Sequence, residues 1–429
     1  MPGKFKQFLF VVLILTFCAG ASGCSLEKSI PTSADIPPPT INRPFPQHTT
    51  YADGSILPNH RSQEQLDQDV RDFYDYWKVT YVNDAGKDEA GNQIYRIAFS
   101  RKGENYKQTV SEGQGYGMVI VATMAGYDPD ARQIFDGLWR FVRAHPSEVD
   151  PRLMDWKVPE GEYGNDSAFD GDADIAFGLL LADAQWGSDG EIDYLSDALV
   201  FIAAIMESTI GSESHLPLLG DWVEESDETY SQYTPRSSDF MLVNFRAFAA
   251  ASGDKTWNEV VANSQMVMND LQSNYSPNTG LMPDFIVLAG ETHIPEPAPA
   301  DFLEAESDGA YSYNAGRVPW RVGSDALLYG DAASVTIVQK ISLWAESVSG
   351  GDPYAIKAGY DLEGNPLPDS DYFTTFFAAP LGVAAMSNPE QQQWLNDIYE
   401  SVYNTHEDYY EDSVTLLCLI TMTGNAWVP

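Results

Sequence analysis

The chain of 429 residues carries 63 acidic and 24 basic residues, which gives a formal net charge of -39. With an apolar content of 44%, this length allows a substantial hydrophobic core in one large domain or two smaller ones. The acidity excludes a basic patch of the kind that binds nucleic acid or an anionic membrane surface. It fits a solvated surface suited to salt, which is the default interpretation, or attraction of a cationic polymer.

The N-terminus has the pattern of an export signal. Lys4 and Lys6 precede an apolar run at 8–15 that is too short to span a membrane as a helix. The run leads to Ala-Ser-Gly-Cys at 21–24, which resembles the bacterial lipobox, whose cysteine becomes the lipidated first residue of the mature protein. We expect a signal peptide over 1–23, lipidation of Cys24 and no other membrane contact. An ordinary cleaved signal is the alternative.

These features predict an exported, membrane-anchored bacterial lipoprotein on the outer membrane, the cell surface or the periplasmic side. The segment 24–61 that follows is rich in proline, serine and threonine, a composition that favours an extended, semi-rigid spacer. We therefore expect a tether over 24–61 and a folded domain over 62–429.

Apolar residues recur at helical spacing along the rest of the chain. Phe135, Leu138, Trp139 and Val142, for example, follow the i, i+3, i+4, i+7 rule of a one-sided helix. Strand-like alternation is confined to short pieces, so the pattern predicts an all-α domain of about twelve helices. The expected helices lie near 63–80, 111–127, 129–145, 170–187, 191–209, 236–252, 254–274, 314–328, 331–348, 370–387, 389–404 and 410–422.

The links between these helices alternate in length. Those before the helices at 111, 170, 236, 314 and 370 are long, and most others are short. If successive helices are antiparallel, every long link falls at the same end of the bundle. The N-termini of the helices that follow the long links then share that end.

The second helix begins with Ser-Glu-Gly-Gln-Gly-Tyr-Gly-Met at 111–118. Each glycine in a helix interior costs roughly 0.5 to 1 kcal/mol relative to alanine. We interpret the missing side chains as room beside Glu112 for a flat substrate such as a sugar ring. The alternative is a helix start, with Ser111 as N-cap and Glu112 in the positive first turn.

The fourth helix begins with three carboxylates, Asp170, Asp172 and Asp174, which exceed any capping need. Their alternate spacing is that of the opening of a calcium loop. Such a loop also needs glycine at its sixth position and glutamate at its twelfth. Ile175 and Leu181 occupy those positions, so we expect no metal site, and the chain shows no site for an organic cofactor either.

The longest link, before the helix at 314, adds acids, aromatic residues and two arginines to the same end. Stacking platforms, forked donors and carboxylates are what an anchored polysaccharide site needs. Arg317 and Arg321, at i and i+4, could equally be ion-pair partners of helix carboxylates.

Three motifs together resemble glycoside hydrolase family 8 in sequence, order and spacing, over about residues 62–425. They are the motif at 111–118, Asp-Gly-Asp-x-Asp-Ile-Ala from 170, and Tyr-Asn-Ala-Gly-Arg-Val-Pro-Trp-Arg from 313. The resemblance implies an (α/α)6 toroid and an inverting endo-hydrolase of β-1,4-linked glycans. The substrates of the family include cellulose, mixed-linkage glucan, xylan and chitosan.

The resemblance also implies roles for single residues. The general acid corresponds to Glu112, and the aspartate that contacts and distorts the sugar corresponds to Asp170. Many members place the general base at the position of Asn314, and an asparagine cannot take a proton from water. A branch with chitosanases and some glucanases has asparagine there and draws its base from the preceding loop. Glu304 is our choice for this base and Glu306 the reserve, although either could be a solvated loop acid.

Trp156, Tyr313, Asn314 and Arg317 correspond to sugar-contacting positions in this resemblance. We expect a monomer whose partner is a polysaccharide, β-1,4-glucan or mixed-linkage β-glucan first and chitosan next, since the acidity tilts slightly toward an amine polymer. The alternative is a surface lipoprotein that binds glycans without cleaving them, for which the asparagine at 314 is the best support.

Overall fold

The computed structural model of the protein describes residues 40–100, 105–159 and 164–429. The predicted signal peptide over 1–23, the lipidation of Cys24 and the first part of the predicted tether lie outside these residues. The twelve helices of the described part confirm the all-α prediction. They are α1 Gln63–Tyr81, α2 Ser111–Thr123, α3 Ala131–Ala144, α4 Phe169–Trp186, α5 Tyr194–Ser208, α6 Leu242–Ser252, α7 Thr256–Asn274, α8 Val318–Tyr329, α9 Ala332–Ser349, α10 Thr375–Ala385, α11 Gln392–Val402 and α12 Tyr409–Met422.

The even-numbered helices form a closed inner ring, in which each contacts the next and α12 returns to α2. These helices are apolar on all sides, and every residue of α10 is buried. The odd-numbered helices are amphipathic; α1, for instance, buries one face and packs on α12. Because a helix that is apolar all round must be enclosed and an amphipathic one covers it, the sequence folds into two concentric layers, the (α/α)6 toroid.

The described residues also form three short antiparallel strand pairs outside the helices. They are β1 Val82–Lys87 with β2 Gln93–Ile97, β3 Thr109–Val110 with β4 Lys157–Val158, and β5 Ile286–Ala289 with β6 Ile294–Pro297. Thr109 faces Val158 and Val110 faces Lys157. This middle pair ends where α2 begins, so it fixes the start of α2 beside the link that leads into α4.

The glycines of α2 serve close helix packing, contrary to the interpretation that they leave room for substrate. A Cβ at Gly115 would lie 2.7 Å from the Cβ of Asp174, and one at Gly171 would lie 2.2 Å from the Oγ of Ser111. Both distances are shorter than any real contact allows. Glycine is therefore required on both helices because α2 and α4 approach each other at their N-terminal ends.

Residues 40–61 lie against the barrel instead of forming part of a free tether, so the compact unit begins at Thr40 and not at Ser62. The backbone N–H groups of Phe45, Thr49 and Ile56 donate to the carbonyls of Ala125, Gly424 and Met386, at 2.7, 2.7 and 2.9 Å. These carbonyls follow the C-terminal ends of α2, α12 and α10. Helix ends leave carbonyls without partners, and this proline-rich, extended segment supplies donors to them.

None of the helices in the described ranges combines the length and the apolar character that a membrane crossing requires.

Candidate active site

The N-terminal ends of the inner helices meet at one end of the barrel, as the link lengths predict. Arg317, just before α8, lies at the centre of this end. Its Nη1 donates to Glu112 Oε2 and to Asp170 Oδ2, each at 2.7 Å, and its Nη2 donates to Ser238 Oγ at 2.9 Å. Groups from the starts of α2, α4, α6 and α8 thus converge on one guanidinium.

The position of Arg317 does not fit the predicted sugar contact. Its side chain is 1% exposed and lies behind the two carboxylates that it joins. Arg321, one turn further along α8, pairs in the same way with Asp174 at 2.9 and 2.6 Å. The ion-pair interpretation therefore applies to both arginines. A guanidinium buried behind carboxylates can act on a substrate only by holding those carboxylates in place.

Glu112 and Asp170 share one arginine but differ in charge. Burial raises the pKa of Glu112 to about 7, with the negative charge of Asp170 adding to the shift and Arg317 opposing it. Burial also acts on Asp170, but Arg236 at 3.2 Å and Arg317 outweigh it and hold the pKa of Asp170 well below its usual range. Two carboxylates in one low-dielectric site are driven apart in pKa in this way. Glu112 is therefore mostly protonated below about pH 7, beside an Asp170 that is ionised.

Asn314 connects this pair to Glu304. Its Oδ1 accepts from Arg317 Nη2 at 2.9 Å and from Arg236 Nη1 at 3.5 Å, and its Nδ2 donates to Glu304 Oε2 at 2.9 Å. A guanidinium has no acceptor, so the amide oxygen must face the arginines and the amide nitrogen must face Glu304. The orientation of Asn314 is thus fixed by charge.

Two buried aspartates hold the segments that carry Glu304 and Asn314. The carboxylate of Asp308 accepts from the backbone N–H groups of residues 303, 304 and 305, at 2.6, 2.9 and 3.0 Å. Asp284 Oδ1 accepts from those of residues 312 and 315, at 3.1 and 2.6 Å. Glu306 is exposed and forms no hydrogen bond with a described residue. Of the two glutamates considered, the structure brings Glu304 to the site.

Sequence reasoning missed several members of this network. Arg236 contacts Asp170 and is held by Asp239, whose oxygens lie 3.1 and 3.2 Å from Arg236 Nε. Burial raises the pKa of Asp239 to about 7, although Arg236 opposes this. The hydroxyl of Tyr409 donates to Glu112 Oε1 at 3.1 Å. Arg236 follows a long link, so the link-length rule contained a signal for it. The link before Tyr409 is short, and that rule contained no signal for Tyr409.

An open cleft of about 800 Å³ lies beside these groups, on the α4 and α6 side of the barrel end. Its lining includes the aromatic residues Trp156, Trp222 and Tyr230 and the charged residues Arg236 and Glu304. Flat aromatic walls with a few convergent polar groups suit a pyranose ring. Trp156, a predicted sugar contact, lines this cleft. Tyr313, which the resemblance also predicts to contact sugar, is not among the residues that line this cleft, and its ring stacks on Phe376 with centroids 5.3 Å apart.

Two of the three carboxylates that begin α4 make ion pairs with arginines: Asp170 with Arg236 and Arg317, and Asp174 with Arg321. The third, Asp172, accepts from the backbone N–H of Met154 at 3.2 Å. Within residues 40–100, 105–159 and 164–429, no group of three or more His, Cys, Asp or Glu side chains is arranged to hold a metal ion.

Comparison with known proteins gives consistent results. The family model described as Glycosyl hydrolases family 8 matches residues 65–424. A Beta-glucanase from Niallia circulans is 42% identical over 408 residues, which cover 94% of this chain and 95% of that protein. An Endoglucanase from Bacillus sp. (strain KSM-330) is 38% identical over 392 residues, covering 90% of this chain and 82% of that protein.

Solved structures agree with the fold. The apo structure of Beta-1,3-1,4-glucanase from Paenibacillus sp. X4 superposes with a TM-score of 0.85 at 42% identity, covering 90% of this chain and all of that chain. A cold-adapted family 8 xylanase superposes with a TM-score of 0.69 at 18% identity, covering 90% and 97% of the two chains. At that identity the likeness concerns the fold alone.

Proposed function

The chain belongs to Glycosyl hydrolases family 8 and is a glycoside hydrolase, and on that premise we propose that it is an inverting endo-β-glucanase. The observation that carries the proposal is the arrangement around Arg317. Its Nη1 donates to both Glu112 and Asp170, whose pKa values are shifted in opposite directions. Its Nη2 donates to Asn314, which in turn donates to Glu304. Inversion needs one acid and one base with room for a water between the base and the sugar.

Glu112 is the proposed general acid. Its raised pKa keeps the proton available near neutral pH, where an ordinary glutamate would have lost it. When the proton moves to the glycosidic oxygen, the carboxylate that remains is already 2.7 Å from Arg317 Nη1 and 3.1 Å from the hydroxyl of Tyr409. The charge that develops on Glu112 is thus stabilised by groups that need not move.

Asp170 is proposed to act as a fixed negative charge beside the reacting sugar. Its two oxygens are held by different arginines, Arg236 and Arg317, so it stays ionised throughout the pH range in which Glu112 titrates. Cleavage of the glycosidic bond develops positive charge on the ring, which a carboxylate that is already placed stabilises.

Glu304 is the proposed general base. It lines the cleft and accepts from Asn314 Nδ2 with one oxygen, which leaves the other for a water molecule. In this proposal Asn314 positions the base and does not itself bind the sugar.

Mixed-linkage β-1,3-1,4-glucan or β-1,4-glucan is the proposed substrate, since the chain is similar over most of its length to a Beta-glucanase, an Endoglucanase and a Beta-1,3-1,4-glucanase. Chitosan is the second candidate, because Asp166 and Glu304 both line the cleft and would attract an amine. Pure glycan binding is not favoured, since the chain is similar over most of its length to proteins named Beta-glucanase and Endoglucanase.

The test is release of reducing ends across a panel of β-1,4-glucan, mixed-linkage glucan, xylan and chitosan. Hydrolysis of the glucans is expected to be fastest. Proton NMR of the first product should show the α-anomer, because inversion converts a β-linkage into an α-hydroxyl. Initial release of the β-anomer would contradict inversion. Absence of reducing-end release from every polymer would contradict the assignment as a glycanase.

We further propose, from the sequence pattern, that the protein is exported and anchored through Cys24, and that it acts as a monomer. Cys24→Ser should move the protein from the membrane fraction to the soluble fraction without changing its activity. A wild-type protein that is soluble in its own cell would contradict the anchor.

A further inference from the structure

A chamber of about 70 Å³ lies inside the barrel, separate from the cleft. Side chains from five of the six inner helices line it, and among the described residues it has no lining residue in common with the cleft. The inner end of this axial chamber is formed by Tyr116, Asp174 and Arg321, each about one helical turn beyond a member of the network around Glu112. Its other end is formed by Trp427, which follows α12. The wall between them includes the apolar side chains of Val119, Leu181, Leu328 and Leu417.

The inner end of the chamber carries a buried donor without an acceptor. Arg321 is 7% exposed and binds Asp174 with its two terminal nitrogens, Nη1 to Oδ1 at 2.9 Å and Nη2 to Oδ2 at 2.6 Å. This end-on geometry turns the Nε–H away from the carboxylate, and Nε has no hydrogen-bond partner within the described residues. A buried N–H without an acceptor is costly and rare in proteins.

The outer end carries a second donor of the same kind. Trp427 is 6% exposed, and its indole Nε1–H is buried and has no acceptor in the part of the chain that the structure describes. Among the described residues that line the chamber, Arg321 and Trp427 carry the buried side-chain polar atoms that lack a partner. Both atoms are N–H donors, so an occupant of the chamber must supply acceptors.

The volume, the charge and the polarity of the lining determine which occupant fits. One water molecule needs about 10 to 15 Å³, so the chamber has room for several. The occupant is neutral, because Asp174 already balances the charge of Arg321. Apolar cavities stay dry, whereas internal water occupies cavities whose polar groups would otherwise lack partners. Ser324 and Asn244 add further polar groups to the lining, and water can both accept from and donate to such groups.

We propose that the axial chamber is a hydration site, in which several internal water molecules accept from Arg321 Nε and Trp427 Nε1. This water solvates the ion pair between Arg321 and Asp174, which joins α8 to α4 beside the catalytic network. Because a buried ion pair is costly where solvent is excluded, hydration here stabilises the two helices that carry Arg317 and Asp170. The proposal does not depend on the reaction that the protein catalyses.

The first experiment replaces the indole N–H of Trp427 and leaves the shape of the ring system unchanged. Trp427→3-benzothienylalanine puts sulfur in place of the N–H. If water accepts from Nε1, the replacement loses a hydrogen bond, and the equilibrium constant for unfolding in urea should rise about fivefold.

Trp394 is the matched control. Its Nε1 is also buried and has no partner in the described residues, but it lies on α11 and does not line the chamber. The same replacement at Trp394 should leave the equilibrium constant within about twofold of wild type or lower it, because it removes a donor that has no acceptor. No rise at Trp427, or an equal rise at both positions, overturns the hydration site.

The second experiment is a crystal structure of the unmodified protein at a resolution that shows ordered water. Density for water should lie about 2.7 to 3.2 Å from Arg321 Nε and from Trp427 Nε1. Absence of water from either nitrogen, or density for a larger molecule, overturns the proposal. Xenon that enters the chamber under pressure would show that the chamber is dry and would overturn it as well. These results leave the proposed function untouched, since cleavage of β-glucan is measured separately.

Discussion

The two ends of the barrel are formed by the same six inner helices but present opposite backbone groups, N–H groups at one end and carbonyls at the other. At the end where the inner helices begin, free N–H groups and the helix dipoles favour negative charge. Glu112 and Asp170 lie at this end and form ion pairs with the buried Arg317. At the end where these helices finish, carbonyls need donors, and residues 40–61 supply backbone N–H groups. Helix direction therefore decides which end carries chemistry and which end is closed.

This comparison predicts that substitutions at the first end change activity and those at the second change stability. Glu112→Gln should have the largest effect. The variant keeps the shape of the side chain but has no acidic proton, so kcat should fall about a thousandfold. Binding of oligosaccharides, measured by calorimetry, should be retained. Substantial residual turnover would remove Glu112 from the acid role.

Asn314→Ala should have the next largest effect. Removing the amide leaves Glu304 without its donor at 2.9 Å, and loss of a hydrogen bond to a charged group corresponds to about a ten- to hundredfold loss in kcat. In a Glu304→Ala background, with turnover restored by azide, the same change should cost nothing further, since positioning acts through the base. A full additional loss there would show that Asn314 acts on the sugar directly.

The pH dependence should follow Glu112. Its proton is required, so kcat/KM should fall about tenfold per pH unit above about 7, where the shifted pKa lies. The shift also contributes stability that is complete below the ordinary pKa of 4.5 and is lost as the pH rises through about 7. Glu112→Gln should abolish this loss in thermal unfolding. If kcat/KM of the wild type begins to fall at a pH far from 7, Glu112 is not the group whose proton is required.

Phe45→Ala should affect the closed end without affecting activity. Phe45 is buried, 5% exposed, and packs edge-on against Tyr127. Deleting a buried phenylalanine side chain destabilises by about 3 kcal/mol, so unfolding in urea should occur at lower concentration. Activity per folded molecule should equal that of wild type. A change in kcat would mean that the two ends are coupled.

The sequence predicted the helices, because apolar periodicity is a local property that each segment carries by itself. Long links and acidic helix starts also indicated the end at which Glu112 and Asp170 lie, and the family resemblance indicated Glu304. The structure brings the three together, and their catalytic roles stay predictions. It could not find the roles of partners far apart in the chain. Arg317 was expected to contact sugar, yet its place behind the carboxylates depends on how α2, α4 and α8 close the ring.

The errors have a common cause. The glycines of α2 were interpreted as room for substrate, and residues 40–61 as a free tether, because each pattern was judged without its neighbour. A glycine shows that a side chain is missing but not what fills the space, which is Tyr409 at Gly113, α4 at Gly115 and Ile97 at Gly117. Proline-rich composition indicates an extended chain but not whether helix ends lie beside it.

The central claim is that Glu304 activates water for a single displacement on the face opposite Glu112. Its most direct test is Glu304→Ala in the presence of azide, an anion small enough to take the place of the activated water. The account predicts that the variant alone is inactive, that azide restores turnover, and that the product is the α-configured glycosyl azide. No rescue by azide, or a β-configured product, would contradict the account.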